Sequence, residues 1–293
     1  MDGDFMRKRK LLVFIIIIIC MVAFLYFENN FITITKIKIK SDKLPQNFDG
    51  YKIVQLSDLH SKRFGKSQKS LVKRIKDIEP DLIVFTGDLI DSKCYDIEAS
   101  LELMQQIVKI APTYFVTGNH EWWSGKFAAL EKILKENGIY VLRNTHDKIE
   151  KDKDAICVVG IDDPASSKAI YEKERITESE IEEAMKGIEK TGTFKILLVH
   201  RPEMFPLYRQ YNFDLVLSGH AHGGQVRLPF IGGLVAPNQG FFPKYTSGRY
   251  ESRNSIMIVN RGLGNSIIPQ RIFNHPEIIV LTLLKGANRM GIQ

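Results

Sequence analysis

The chain has 293 residues, 44% hydrophobic and 26% charged, with a formal net charge of +7. These ordinary globular proportions exclude wholesale disorder and leave room for one large α/β domain. Setting aside Arg7, Lys8, Arg9 and Lys10 against Asp2 and Asp4 leaves about +5, 37 basic against 32 acidic residues, a surplus suited to an anionic membrane surface or a phosphorylated substrate. No basic run is interleaved with stacking aromatics, so nucleic acid is not expected as a partner. Cys20, Cys94 and Cys157 form no CxxC pattern and give no disulfide framework.

In chain order, a short basic tail (1–10) precedes Leu11–Phe27, 17 residues without a charge. A spanning helix needs about 17–25 apolar residues, so the run is short but sufficient. It exceeds the core of a signal peptide, and Phe24-Leu25-Tyr26-Phe27 is no small-residue cleavage site. The Arg7–Lys10 cluster places the N-terminus in the cytoplasm, with the body across a cell membrane that it crosses once. A link follows (28–48), in which Ile32 to Lys40 alternates apolar and polar residues with a phase slip at Thr35-Lys36. This predicts an edge strand with a bulge, protected by lysines.

The main body is expected at 49–285, with 286–293 as a tail. Ser67 can cap a helix through Glu79, with Leu71, Val72, Ile75 and Ile78 on one face. Further helices are predicted over Ala99–Ile110 and Lys126–Asn137, the latter closed by Gly138. Thr177 and Glu180 fit a capping box before Ile181–Ile188. Residues 162–176 lack periodicity and read as a loop or flap. The alternation of strand and helix through residue 217 favours an α/β sandwich, with a β-rich end carrying strands near Gln225–Leu228, Ile256–Asn260 and Glu277–Leu284.

Five apolar, strand-like runs end in metal-ligand residues. The first ends in Asp58-Leu59-His60, the second in Gly87-Asp88 and the third in Gly118-Asn119-His120. The fourth ends in His200 and the fifth in Gly219-His220-Ala221-His222. Buried strands read as continuous apolar runs, and in open α/β sheets ligands gather beyond the strand ends. Asp58, His60, Asp88, Asn119, His200, His220 and His222 form an N/O donor set that suits Mn, Fe or Zn better than a thiolate-binding metal. Seven candidates are too many for one tetrahedral ion but enough for two divalent ions sharing a carboxylate. Two such ions about 3.5–4 Å apart can bridge a hydroxide and hold both nucleophile and leaving oxygen for in-line displacement.

This ordered set resembles the calcineurin-like metallophosphoesterase superfamily, over about residues 50–285. The matching motifs are Asp58-Leu59-His60, Gly87-Asp88, Gly118-Asn119-His120-Glu121, His200 and Gly219-His220-Ala221-His222. The strings His200-Arg201-Pro202-Glu203, Gly219–Pro229 and Arg261-Gly262-Leu263-Gly264-Asn265-Ser266 are similar to a membrane-associated bacterial branch. The resemblance implies a four-layer sandwich of two mixed β-sheets flanked by helices, in the α/β class. It implies that Asp58, His60 and His222 hold one metal, that Asn119, His200 and His220 hold the other, and that Asp88 bridges them. His120 would act near the leaving-group oxygen as general acid or electrostatic stabiliser, with Glu121 orienting it.

The expected substrate is a phosphoester or pyrophosphate, of lipid or envelope origin. A UDP-2,3-diacylglucosamine-type pyrophosphatase is the alternative, and a reporter fused after residue 293 separates the two by its side of the membrane. A non-catalytic scaffold of the same fold is the alternative of another class, although every motif is present. Trp122 and Trp123 fit either core packing or a substrate- or membrane-facing wall. Gly262, Gly264 and Asn265 fit a plain turn or a phosphate nest. Gly223, Gly224 and Gln225 fit the rim of the second metal site. His146 and His275 are expected in surface or structural roles.

Overall fold

The computed structural model describes residues 2–167, 172–188, 192–252, 255–265 and 268–286. The tail beyond residue 286, Ser266 and part of the 162–176 segment lie outside them.

Two six-stranded mixed sheets form the centre. Across the first run β1 (Thr33–Ser41), β16 (Glu277–Lys285), β2 (Lys52–Leu56), β3 (Leu82–Thr86), β4 (Thr113–Val116) and β5 (Tyr140–Val141). Strands β2 to β5 are parallel, while β16 is antiparallel to β2 and parallel to β1. Across the second run β14 (Gly248–Ser252), β15 (Ser255–Val259), β9 (Leu215–Ser218), β8 (Lys195–Leu198), β7 (Asp154–Gly160) and β6 (Thr145–Lys151). Its four central strands are parallel, with antiparallel strands at both edges.

Successive side chains on a strand face opposite ways, so one strand feeds two apolar layers. Leu82 and Val84 join Ile196, Leu198, Leu217 and Ile258 between the sheets. Ile83 and Phe85 point outward onto Leu71 and Ile75 of α2 (Lys69–Ile78), Leu103 of α3 (Ile97–Ile107) and Leu130 of α5 (Phe127–Glu136). On the far side, Leu197 and Val216 pack on Ile181 of α6 (Lys173–Ala184) and on Phe205 and Tyr208 of α7 (Phe205–Tyr208). The result is helix, sheet, sheet, helix, the expected four layers. The short helix α4 (Asn119–Trp123) follows β4, and two small hairpins follow β9. These pair β10 (Arg227–Leu228) with β11 (Gly232–Gly233), and β12 (Val235–Ala236) with β13 (Gly240–Phe241).

Helix α1 (Asp2–Asn30) contains the apolar run, is long and apolar enough to cross a membrane, and stands largely exposed. Its last turn is part of the body: Glu28 is buried and paired with His275 at 3.0 Å.

Several local expectations are corrected. Strand β1 lies at a sheet edge but has no bulge, because it pairs with β16 in unbroken register from Thr33 to Ser41. The phase slip is absorbed by side chains instead: Ile34 faces solvent and Thr35 faces in, where its hydroxyl donates to Glu277 at 2.5 Å. Ser67 does not cap α2, since its backbone is left-handed (φ 50°) and the helix begins at Lys69. The Gln68 amide holds that corner, accepting from Phe64 N–H and donating to the Lys62 and Ala99 carbonyls. Thr177 and Glu180 form no capping box, because α6 has already begun at Lys173 and both lie inside it. Both side chains are buried, and Thr177 turns its hydroxyl toward Met204 Sδ.

Glu180 makes a stability prediction. Burial, with Asp162 nearby, pushes its carboxyl from 4.5 up to about 8. Above about pH 4.5 the unfolded chain ionises this group while the folded protein holds the proton, so stability falls from there to about pH 8. Glu180→Gln removes that penalty. Its melting temperature should exceed the wild type's by more at pH 8 than at pH 5, and an equal difference at both pH values would refute this account.

Candidate metal centre

Strands β2, β3 and β4 of one sheet and β8 and β9 of the other deliver all seven predicted ligands to one place, just past their C-terminal ends. Asp58, His60, Asp88 and His222 bring ligand atoms within 4.8 Å of one another, as do Asp88, His200 and His220. Asp88 belongs to both groups. In the first group, His60 Nε2 lies 3.0 Å from His222 Nε2 and 3.6 Å from Asp88 Oδ2, and His222 Nε2 lies 3.3 Å from Asp58 Oδ1. In the second, His200 Nε2 lies 3.2 Å from Asp88 Oδ2 and 3.1 Å from His220 Nδ1. Asn119 is buried, and its Oδ1 has no hydrogen-bond partner. A buried amide oxygen without a partner is costly unless something else uses its lone pairs. The orphaned oxygen and the facing imidazole nitrogens fit divalent cations.

The local backbone is strained to achieve this. Asp58, His60, Asp88, His220 and His222 have φ of 51, 48, 55, 65 and 46°. Left-handed conformations are uncommon outside glycine and cluster at functional sites. Close packing supplies the restraint. A Cβ on Gly118 would sit 2.3 Å from Asp88 Oδ1, and one on Gly219 would sit 1.9 Å from Ser57 Oγ, so neither position admits a side chain.

Neighbouring groups aim the ligands. His200 Nδ1–H donates to the Thr86 carbonyl at 2.7 Å, which turns Nε2 toward Asp88. Asp58 accepts the His220 backbone N–H at 3.1 Å. Asn274 Nδ2 donates to the carbonyls of His222 and Gln225 at 2.7 and 2.9 Å. Arg271, fully buried, bonds the Gly264, Asn274 and Arg261 carbonyls and lies 3.4 Å from His222 Nδ1. Asp91 lies 3.5 Å from His60 Nδ1, and such outer carboxylates fix the orientation of metal-binding imidazoles.

Charge is balanced locally. Burial pushes the Asp88 carboxyl up, but His200, His60 and His120 outweigh it and hold it well below the usual carboxylate range. Burial works against the His200 imidazolium, yet Asp88 beside it raises that group to about 10. Burial holds His220 and His222 well below their ordinary value, aided by cations around them, so both are neutral and free to donate lone pairs.

His120 stands apart from both ligand groups. Its Nδ1 accepts the Ser92 N–H at 3.0 Å, so the neutral ring carries its proton on Nε2. The orienting group is therefore Ser92, with Asp91 3.7 Å from Nδ1, and not Glu121. Glu121 instead clamps the turns after β3 and β4 together, accepting the N–H groups of Asp88, Leu89 and Ile90 after β3 and of Gly118 after β4 at 2.7–3.2 Å.

A cavity of about 350 Å³ opens beside this cluster, lined in part by His120, Trp123, Lys93, Lys173, Arg201 and Asn238. The tryptophans divide their roles. Trp122 packs on Phe127 and donates to the Thr117 hydroxyl, whereas Trp123 is 62% exposed beside the His120 ring. Gly262 and Gly264 form a turn and no nest: Leu263 N–H is shared between the Ser57 and Asp58 carbonyls, Gly264 N–H is spent on the Asp58 carbonyl, and Gly262 N–H on Asn260 Oδ1. His146 contacts the Ala184 carbonyl at 2.8 Å, so it and His275 are structural. Asp91, Ser92, Lys173 and Arg271 were not singled out in the sequence. Asp91 lies three residues beyond Asp88, which is the one available signal; Arg271 has none.

A calcineurin-like phosphoesterase family model matches residues 51–224. The chain belongs to the calcineurin-like phosphoesterase family. It is 34% identical over 263 residues to the uncharacterized metallophosphoesterase YkuE of Bacillus subtilis, covering 88% of this chain and 87% of that protein. It is 28% identical over 272 residues to an uncharacterized metallophosphoesterase of Aquifex aeolicus, covering 91% of this chain and 97% of the other. A transmembrane protein with a metallophosphoesterase domain from Danio rerio is 32% identical over 259 residues. That alignment covers 85% of this chain but only 57% of the longer fish protein. This phosphoesterase is accordingly a metal-dependent hydrolase, with a His/Asp cluster able to hold metal ions.

Proposed function

We propose that this phosphoesterase is a membrane-anchored dinuclear enzyme that hydrolyses a phosphoester or pyrophosphate bond. Asp58, His60 and His222 hold one divalent cation, Asn119, His200 and His220 hold the second, and Asp88 is shared. One observation carries the reading: Asp88 belongs to both ligand groups, while Asn119 Oδ1 stands buried and unpartnered. Mn, Fe and Zn suit the donor set. When bound, two such cations supply an activated water at neutral pH and neutralise charge on phosphoryl oxygens.

The chain's own side chains do the rest. His120 presents Nε2–H to the leaving-group oxygen and stabilises the negative charge that builds there by a hydrogen bond as the bond to phosphorus breaks. Lys93, Lys173 and Arg201 line the cavity and attract the phosphoryl oxygens. Arg201 is held rigid by Asp163 through bonds of 2.7 and 3.0 Å, which fixes the direction of its charge. Trp123 offers an apolar wall to the group beyond the phosphate. Helix α1 spans the membrane with Arg7–Lys10 on the cytoplasmic side and the body on the other. A substrate of lipid or envelope origin follows from that placement, and the relative described as a transmembrane protein supports the anchor.

Hydrolysis of bis(4-nitrophenyl) phosphate by the full-length protein tests the reaction. Loading with Mn²⁺ should give turnover and about two metal equivalents per chain. Chelation should abolish turnover, and added metal should restore it. A metal-loaded protein inactive on monoesters, diesters and pyrophosphates alike would sink the proposal.

A further inference from the structure

Five large apolar side chains stand out from the body in one small region. Phe230 and Ile231 form the tip between β10 and β11, Phe241 and Phe242 close the β12–β13 hairpin, and Phe273 lies on the loop before β16. Phe230 and Phe241 are more than 80% exposed, and the other three more than half. Backbone hydrogen bonds join them into one surface. Arg227 N–H donates to the Ile272 carbonyl at 3.0 Å, Leu234 N–H to Val226 at 2.9 Å, and Phe242 N–H to Leu234 at 2.9 Å.

This surface abuts the last turns of α1. The ring of Phe273 meets that of Phe24 edge-on, with centroids 5.8 Å apart. Gln270 donates to the Leu25 carbonyl at 3.0 Å, Arg271 N–H donates to Asn29 Oδ1 at 2.9 Å, and the Glu28 carboxylate accepts Asn274 N–H at 3.2 Å. Phe24 lies within the apolar run that ends at Phe27. At a rise of about 1.5 Å per residue, Phe273 therefore sits close to one turn inside the span. The helix leaves the membrane already bolted to the body, so the body's orientation is fixed and these side chains are carried beside the helix.

The backbone adds a second observation. Phe230, Phe242 and Phe273 have φ of 66, 52 and 51°. A turn of that kind is built without strain by glycine, whereas a bulky residue there is an outlier. At each position the strained turn throws an aromatic ring outward.

We propose that Phe230, Ile231, Phe241, Phe242 and Phe273 insert into the lipid bilayer around the exit of α1, a second membrane contact separate from the span. This rests on the reading that α1 is a membrane anchor. Aromatic rings favour the membrane interface, and Lys244, two residues after Phe242, supplies a cation for phosphate headgroups. The β12–β13 hairpin that carries Phe241 also gives Pro237 and Asn238 to the wall of the active-site cavity. Docking of the hairpin holds the cavity mouth at headgroup level, so the phosphoester that reaches it is one borne on lipids of the same leaflet.

The test uses full-length protein in liposomes whose acyl chains are brominated near their middle. Phe230→Trp and Phe241→Trp report from the surface. Tyr140→Trp reports from β5, at the sheet edge opposite β1, and the wild type gives the background of Trp122 and Trp123. The added emission of Phe230→Trp and Phe241→Trp should be blue-shifted and cut about twofold or more by bromine, with Tyr140→Trp unchanged. Quenching no greater than that of Tyr140→Trp overturns the proposal. So does a blue shift without quenching, which means that protein covers the surface. Flotation separates the two readings: wild type that fails to float with liposomes removes the anchor and the proposal together. Protein that floats with an unquenched surface removes the proposal alone.

Discussion

Asp88→Asn should lower kcat/KM on a phosphodiester by roughly a thousandfold and reduce bound metal from about two equivalents to one or fewer. The reason is geometric and electrostatic together. Asp88 Oδ2 faces His200 at 3.2 Å and His60 at 3.6 Å, one imidazole from each ligand group. Asp88 Oδ1 already accepts the His120 backbone N–H at 2.8 Å. An amide keeps one oxygen and loses the charge, so it can serve the backbone or the ligand groups but not both. Elemental analysis of metal content beside the kinetics checks this. Two equivalents retained with wild-type turnover would remove Asp88 from the shared position. Circular dichroism and melting of the metal-free variant guard against simple misfolding.

His120→Ala should behave differently. Both metals should remain, because His120 belongs to neither of the two groups that share Asp88. Turnover should fall by about 10²–10³ on a substrate with an alkoxide leaving group, the range expected when one hydrogen-bond donor to the developing charge is removed. With 4-nitrophenolate leaving, the ring delocalises the charge on the departing oxygen, and the loss should shrink to about tenfold or less. The structural basis is the Ser92 N–H, which occupies Nδ1 and leaves the proton on Nε2. Equal losses on both substrates would deny His120 its place at the leaving-group oxygen. Loss of metal would instead make it a ligand in the neighbouring group of His60, Asp91 and His120.

The sequence made the strands legible because buried parallel strands are apolar on both faces. Each of the five ligand-bearing runs is interrupted where the chain leaves the sheet, and a polar residue there is informative against that background. The helices were legible in their apolar faces and misjudged at their ends. Ser67 and Thr177 look like caps in isolation, yet a left-handed turn and an earlier helix start overrule them. Local capping contributes about 1 kcal/mol, which tertiary packing readily exceeds. Strand β1 shows the same hierarchy. Its pattern asked for a bulge, but unbroken pairing with β16 was kept by letting Ile34 face solvent.

The sequence by itself determined which side chains could bind metal, in what order they come, and that each follows a strand. Those facts are local, set by strand periodicity and by the residue types at strand ends. Only the tertiary structure decided that the ends of two separate sheets meet, that Asp88 falls where their ligand groups join, and that Asn119 Oδ1 is left without a partner. It also decided the groups that aim the side chains of the site: Ser92 on His120, Asp91 on His60, and Arg271 and Asn274 around His222. These partners lie up to 52 residues away in the chain, as Asn274 does from His222. No periodicity encodes such a pairing, because it arises from how two layers and a docked helix end pack together.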